Sequence, residues 1–182
     1  MINKYYLNTK LKSEIAKVLT NDFSVQLYNF IDEKCSKLLK KKLKFKKVYA
    51  PNSFSYNISN FDNKGLLVEL TNFLESIINK KIKMKSAHVY CFSAGDYILI
   101  NNDSKEVNGI KVILELNNYW DSNHGGFTSF ISNNKEILRI NPVCRSLSII
   151  LTKKSMSSFI KYINHHSGNN KRYFLEIIYG KI

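Results

Sequence analysis

Arginine is nearly missing from this chain: Arg139, Arg145 and Arg172 are the only three among 28 basic residues, and the rest are lysine. The scarcity weakens the reading that the formal charge of +14 and pI near 9.6 would otherwise invite, a nucleic-acid or other polyanion partner. Arginine is the side chain that forks onto phosphates and base edges. Lysine together with abundant asparagine and isoleucine is what an A/T-rich coding sequence yields whatever the protein does. Cysteine is also sparse. Cys35, Cys91 and Cys144 are odd in number, far apart and without C-x-x-C spacing, which excludes a disulfide framework and a structural zinc site and predicts reduced, mostly buried thiols. No apolar run approaches the about 20 residues of a membrane span, and the opening MINKYYLNTKLK lacks the apolar stretch of a signal peptide. The expectation is a soluble, cytoplasmic protein with no membrane partner.

What is present fits one globular domain, since 182 residues with 44% hydrophobic content can bury roughly two thirds of the surface of the unfolded chain. Residues 1–85 are expected to be mainly helical support and residues 86–182 a β core. An amphipathic helix is read from Leu11, Ile15 and Leu19, and a strand from Phe23 to Ile31. Asp32 is placed to cap the next helix, which is read through the lysine run to Lys47 with Cys35, Leu38, Leu39 and Leu43 on one stripe. Residues 48–63, rich in Asn and Ser around Pro51, read as a loop with one short extended piece. Leu67, Leu70, Leu74, Ile77 and Ile78 then mark a helix over Leu66 to Asn79.

From Met84 the pattern changes to short runs separated by turn signals: Ala87–Phe92, Tyr97–Ile100, Ile110–Leu116, Gly126–Ile131, Glu136–Ile140, Ser146–Leu151, Ser158–Ile163 and Arg172–Tyr179. Eight strands after two long helices predict an α+β fold, a jelly roll with N-terminal helical support. Within HVYCFSAGDYILINND, the period of two puts Tyr97, Leu99, Asn101 and Asp103 on one face, so Asn101 and Asp103 are candidates to share one site. Lys40, Lys41 and Lys42, with Lys80 and Lys81, form two basic clusters. They read first as solvated surface and second as a weak, salt-sensitive RNA or ribosome contact.

The segments VQLYNFIDEKCSKLL, GDYILINND, LELNNYWDSNHGGFTSF, INPVCRSLSII and SFIKYINHHSGNNKRYFLEIIYG follow one another in an order that resembles the iron(II) and 2-oxoglutarate dependent dioxygenases of the prolyl-hydroxylase kind. The likeness is greatest to the group that hydroxylates a proline of a small-subunit ribosomal protein. It spans nearly the whole chain and implies a double-stranded β-helix, the cupin-like jelly roll. It also implies iron(II) held by two histidines and a carboxylate, with 2-oxoglutarate as cosubstrate.

Measured against that pattern, the chain departs where the chemistry sits. The first His-x-Asp reads Asn101-Asn102-Asp103, keeping the carboxylate and losing the imidazole. The second histidine falls on Ile160, or on Lys161 if the match slides by one residue. Arg172 stands where the family's arginine forks onto the distal carboxylate of 2-oxoglutarate. The hydroxyl two residues later is Phe174, and a helping tyrosine on an earlier strand is Phe92. His88, His124, His165 and His166 do not pair with Asp103 by the family's spacing, and the last two would point to opposite faces if extended. Trp120 reads as core, Gly125 and Gly126 as a turn needing positive φ, and Arg172, if buried, as a guanidinium that requires an anionic or carbonyl partner.

The expectation is therefore a pseudoenzyme: a barrel without iron or 2-oxoglutarate that binds a protein or peptide in the old substrate groove. The alternatives are an active iron(II)/2-oxoglutarate hydroxylase with an unconventional metal site, and a basic RNA- or ribosome-associated module.

Overall fold

The computed structural model describes residues 1–41, 43–100 and 105–180. Three helices and a short strand lead into the β core. Helix α1 spans Thr9–Asp22 and starts where the Asn8 side chain accepts hydrogen bonds from the amides of Lys10 and Leu11 at 2.9 and 3.3 Å. Strand β1 (Ser24–Leu27) is followed by α2 (Glu33–Lys40), capped as expected by Asp32, which accepts from the Cys35 amide at 2.7 Å. Helix α3 (Lys64–Ile78) ends at Asn79 in the left-handed conformation, φ 52°. It buries Leu66, Leu67, Leu70, Phe73, Leu74 and Ile77, each contributing roughly 1.5–3 kcal/mol of transfer free energy.

The lysine-rich segment departs from its expected form. The helix over Asp32 to Lys47 stops at Lys40, and the segment expected to be a loop is a hairpin of β2 (Lys46–Ala50) with β3 (Phe54–Asn60). Lysine and leucine favour a helix only weakly, so a ladder partner decides against it. Here Lys46 to Ala50 pair antiparallel with Ile58 to Phe54. The N-terminal half thus carries strands as well as helices.

The remaining strands are β4 (Met84–Phe92), β5 (Tyr97–Ile98), β6 (Gly109–Glu115), β7 (Thr128–Ser132), β8 (Lys135–Ile140), β9 (Leu147–Thr152), β10 (Met156–Ile160) and β11 (Arg172–Tyr179). They nest: β4 pairs with β11, β5 with β10, β6 with β9 and β7 with β8, all antiparallel. First pairing with last and so inward to the middle is what a jelly roll requires. It yields one face ordered β1-β9-β6-β11-β4 and another ordered β5-β10-β7-β8, joined through β3, which pairs with both β4 and β5. The expected strand Tyr97–Ile100 is shorter, ending at Ile98. The tight β7–β8 turn is made by Asn133 and Asn134, both at positive φ (51° and 61°), a conformation asparagine tolerates.

Alternation along β6 and β11 separates two cores. Ile110, Val112 and Leu114 of β6, with Leu175, Ile177 and Tyr179 of β11, join the helices in the larger one. Ile113 and Phe174, on the opposite face, join Phe92, Trp120, Phe130, Ile150, Ile160 and Ile163 inside the barrel. All seven residues of β6 are therefore buried, sandwiched between helices and barrel interior.

Candidate functional site: the barrel cavity

The inward face of β11 carries Arg172, Phe174, Glu176 and Ile178 by the period of two, and that of β6 carries Lys111, Ile113 and Glu115. Each strand thus presents a cation and an anion four residues apart on its barrel face. The strands run antiparallel with Phe174 opposite Glu115 and Ile178 opposite Lys111, so each cation lies diagonal to the other strand's carboxylate. Two ion-paired groups result, Arg172 with Glu115 and Lys111 with Glu176, the second joined by Glu106 from outside the two strands.

The deeper pair is Arg172 with Glu115, whose side chains are 0% and 1% exposed. The guanidinium donates through Nη2 to Glu115 Oε1 and through Nε to Oε2 at 3.3 Å, the two-pronged arrangement that suits a carboxylate. Nη1 donates to the carbonyl of Gly126 and to Thr128 Oγ1 at 3.2 Å, and the cation lies 4.3 Å from the Phe174 ring centre. Burial pushes the Glu115 carboxyl above its ordinary value, and Arg172 offsets only part of that rise. The predicted need of Arg172 for an anionic or carbonyl partner is met from within the chain, by one of each.

Gly125 and Gly126 form the turn that supplies that carbonyl, with φ of 76° and 73° as expected. A Cβ on Gly125 would meet the Tyr162 carbonyl oxygen at 2.5 Å, so the close approach also needs glycine. Trp120 donates from Nε1 to the Gly125 carbonyl at 3.2 Å and packs in the barrel core.

The second pair borders a cavity of about 320 Å³. Lys111 Nζ lies 2.6 Å from Glu106 Oε1 and 3.4 Å from Glu176 Oε2, and Ser158 donates to the same Glu106 oxygen at 2.5 Å. Burial alone would lower the Lys111 pKa, but Glu176 and Glu106 outweigh it and hold it above its ordinary value. Lys111 is therefore a fixed cation and not an amine nucleophile. The other walls are aromatic and aliphatic: Tyr90 stacks on Phe174 with ring centres 5.2 Å apart, and Phe92, behind them, stacks on Phe174 at 5.8 Å and on Tyr56 at 5.7 Å. Desolvation, and then the nearby Glu176 charge, push the Tyr90 hydroxyl pKa well up.

The residues singled out from sequence fall unevenly around this cavity. Ile160 lines it and is buried, whereas Lys161 is exposed. Phe174 lines it and Phe92 is buried behind, and Arg172 sits deeper, on Glu115. Asn101 and Asp103 lie outside the described residues. His165 and His166 are not extended but form a 3₁₀ turn with ring centres 4.2 Å apart, and His124 is buried with its ring 5.2 Å from that of Trp120. Of the basic residues, Lys40 packs 5.3 Å from the Tyr173 ring centre, Lys81 pairs with Glu75 at 2.8 Å, and Lys41 and Lys80 are exposed. Lys42 lies outside the described residues. Against the larger core, α3 packs on α1. Lys111, Glu115, Glu106 and Glu176 were not anticipated, although charges inside the apolar runs GIKVILEL and RYFLEIIYG were a signal that partners must exist.

Neither group that the dioxygenase resemblance implies fits what is described of this cavity. Of the two positions that the resemblance offers for the second imidazole, Ile160 puts hydrocarbon on the cavity wall and Lys161 is exposed, and the guanidinium of Arg172 holds Glu115. Among the described residues, no group of three His, Cys, Asp or Glu side chains converges as a metal would require.

No protein-family model matches the chain. Residues in an 86-residue stretch are 29% identical to mouse prolyl 3-hydroxylase OGFOD1, a match covering 46% of this chain and 16% of that protein. The chain therefore spans only a small part of the curated relative it matches. Among solved structures, a Trichoplax adhaerens prolyl hydroxylase in complex with a hypoxia inducible factor peptide superposes with a TM-score of 0.71 at 18% identity, over 98% of this chain and 92% of that one. A Pseudomonas putida prolyl-4-hydroxylase gives 0.69 at 13% identity, over 94% and 100%. A Burkholderia pseudomallei 2OG-Fe(II) oxygenase family oxidoreductase gives 0.71 at 12%, over 93% and 90%. The fold is that of the iron(II)/2-oxoglutarate dioxygenases, related to the prolyl hydroxylases. Among the described residues, no helix is long and apolar enough to cross a membrane.

Proposed function

We propose that this chain is a single-domain, non-catalytic binding module, a prolyl-hydroxylase-like barrel that engages a protein or peptide in its former substrate groove without iron or 2-oxoglutarate. The observation that carries the reading is the Arg172–Glu115 pair. A cosubstrate seeking that guanidinium would have to displace Glu115 and leave its carboxylate buried and unpaired, which costs several kcal/mol. Ile160 supports the reading by removing a ligand from the position of the second imidazole. A peptide partner is supported by the Trichoplax relative, described in complex with a peptide. The ordered motifs favour descent from the ribosomal-protein hydroxylase group. Three unpaired cysteines suit a reducing, cytoplasmic location.

The test is succinate release by the purified chain supplied with iron(II), ascorbate, 2-oxoglutarate and candidate peptides. The expected result is no release above a protein-free control. Release that disappears in Asp103→Ala would overturn the reading and establish an active hydroxylase.

A further inference from the structure

Resting on the reading of the barrel as a binding module, we infer that the cavity takes a cationic side chain, with arginine preferred, presented by the partner peptide. The charge inside the barrel points this way. Arg172 is neutralised by Glu115, but among the described residues Glu106 and Glu176 share the buried ammonium of Lys111, so the enclosed groups of the cavity carry one negative charge more than positive. The opposing cation, Lys105, is exposed at the rim, where solvent screens it. This inversion occurs in a chain whose net charge is +14, so it is local and confined to the site.

The carboxylates are also unequally committed. Both the Lys111 and Ser158 contacts of Glu106 fall on Oε1. Among the described residues, Glu176 is held at long range, 3.4 Å from Lys111 and 3.5 Å from the Tyr90 hydroxyl. A guanidinium entering between them would gain charge-assisted hydrogen bonds of better geometry than those Glu176 now has. Tyr56 and Tyr90 line the cavity, and aromatic surface favours the planar guanidinium of arginine over the hydrated ammonium of lysine. A cavity of about 320 Å³ is at the small end for ligand pockets and suits one long side chain. A dicarboxylate such as 2-oxoglutarate would meet the wrong sign of charge.

Titration calorimetry on the full chain tests this with N-acetyl-arginine amide, N-acetyl-lysine amide, N-acetyl-citrulline amide and 2-oxoglutarate. The citrulline compound keeps the shape of arginine and removes its charge. The arginine compound should bind at least about tenfold more tightly than the citrulline compound, with lysine between them. Glu176→Gln leaves the Glu106–Lys111 contact in place and should weaken the arginine compound by about tenfold while changing the citrulline compound little. If that variant fails to fold, the arginine-to-citrulline ratio on the unmodified chain decides alone. Equal binding of the two compounds, or no binding of either at millimolar concentration, would overturn the cation assignment and leave the non-catalytic reading intact. Tighter binding of 2-oxoglutarate than of the arginine compound would overturn both.

Discussion

The buried pair of Arg172 and Glu115 makes the most demanding prediction, because its parts cannot be removed singly without consequence. In Glu115→Ala the guanidinium, 0% exposed, keeps the Gly126 carbonyl, the Thr128 hydroxyl and the face of Phe174 but no carboxylate, so its charge is left uncompensated in the barrel. Breaking one partner out of a buried pair costs about 3–5 kcal/mol. For a chain of this length each kcal/mol moves the midpoint by roughly 2–4 °C, so the melting temperature should fall by about 6–20 °C. The double variant Glu115→Leu with Arg172→Met replaces the pair by hydrocarbon of similar volume and should recover most of that loss. Adding formate or acetate to Glu115→Ala should raise its melting temperature, since a small carboxylate can enter the vacated space and meet the same fork. Thermal unfolding followed by circular dichroism measures all three. A fall below about 2–4 °C in Glu115→Ala, equivalent to about 1 kcal/mol, would mean that the pair is solvated and the account of the barrel interior is wrong.

The other predictions concern pH and the glycine turn. Lys111 holds its proton more tightly folded than unfolded, so its stabilising contribution is complete below the ordinary lysine value of 10.5 and is lost as pH rises through its higher folded value. Tyr90 acts in the same sense above its ordinary value of 10.0. Urea midpoints compared at mildly and strongly alkaline pH should therefore drop in the unmodified chain. They should drop less in Tyr90→Phe, and an unchanged slope in that variant would exclude Tyr90 as a source. Gly125→Ala should destabilise by about 1–3 kcal/mol, because alanine disfavours φ 76° with ψ −144° and its Cβ would meet the Tyr162 carbonyl at 2.5 Å. A urea midpoint unchanged by that substitution would contradict the described turn.

Much of the architecture was legible in the chain because local chemistry and global fold agree there. Asp32 caps α2 because a carboxylate beside the first turn's free amides is favourable whatever surrounds it, and the limits of β11, Arg172 to Tyr179, follow from a run rich in aromatic and β-branched residues between Lys171 and Gly180. The stretch from Lys40 to Lys47 was not legible in this way. Its pattern suits a helix or a strand about equally, and β2 forms only because β3 lies alongside with its backbone groups unpaired. The barrel interior carries the same lesson. The chain carries a cation and an anion four residues apart on β6 and again on β11, a pattern whose meaning was missed in the sequence, and burial obliges each to find a partner. Which partner it finds depends on antiparallel register, a relation between segments 57 residues apart in the case of Arg172 and Glu115. That distant pairing, and not the identity of any single residue, decided that the arginine's fork is filled from within.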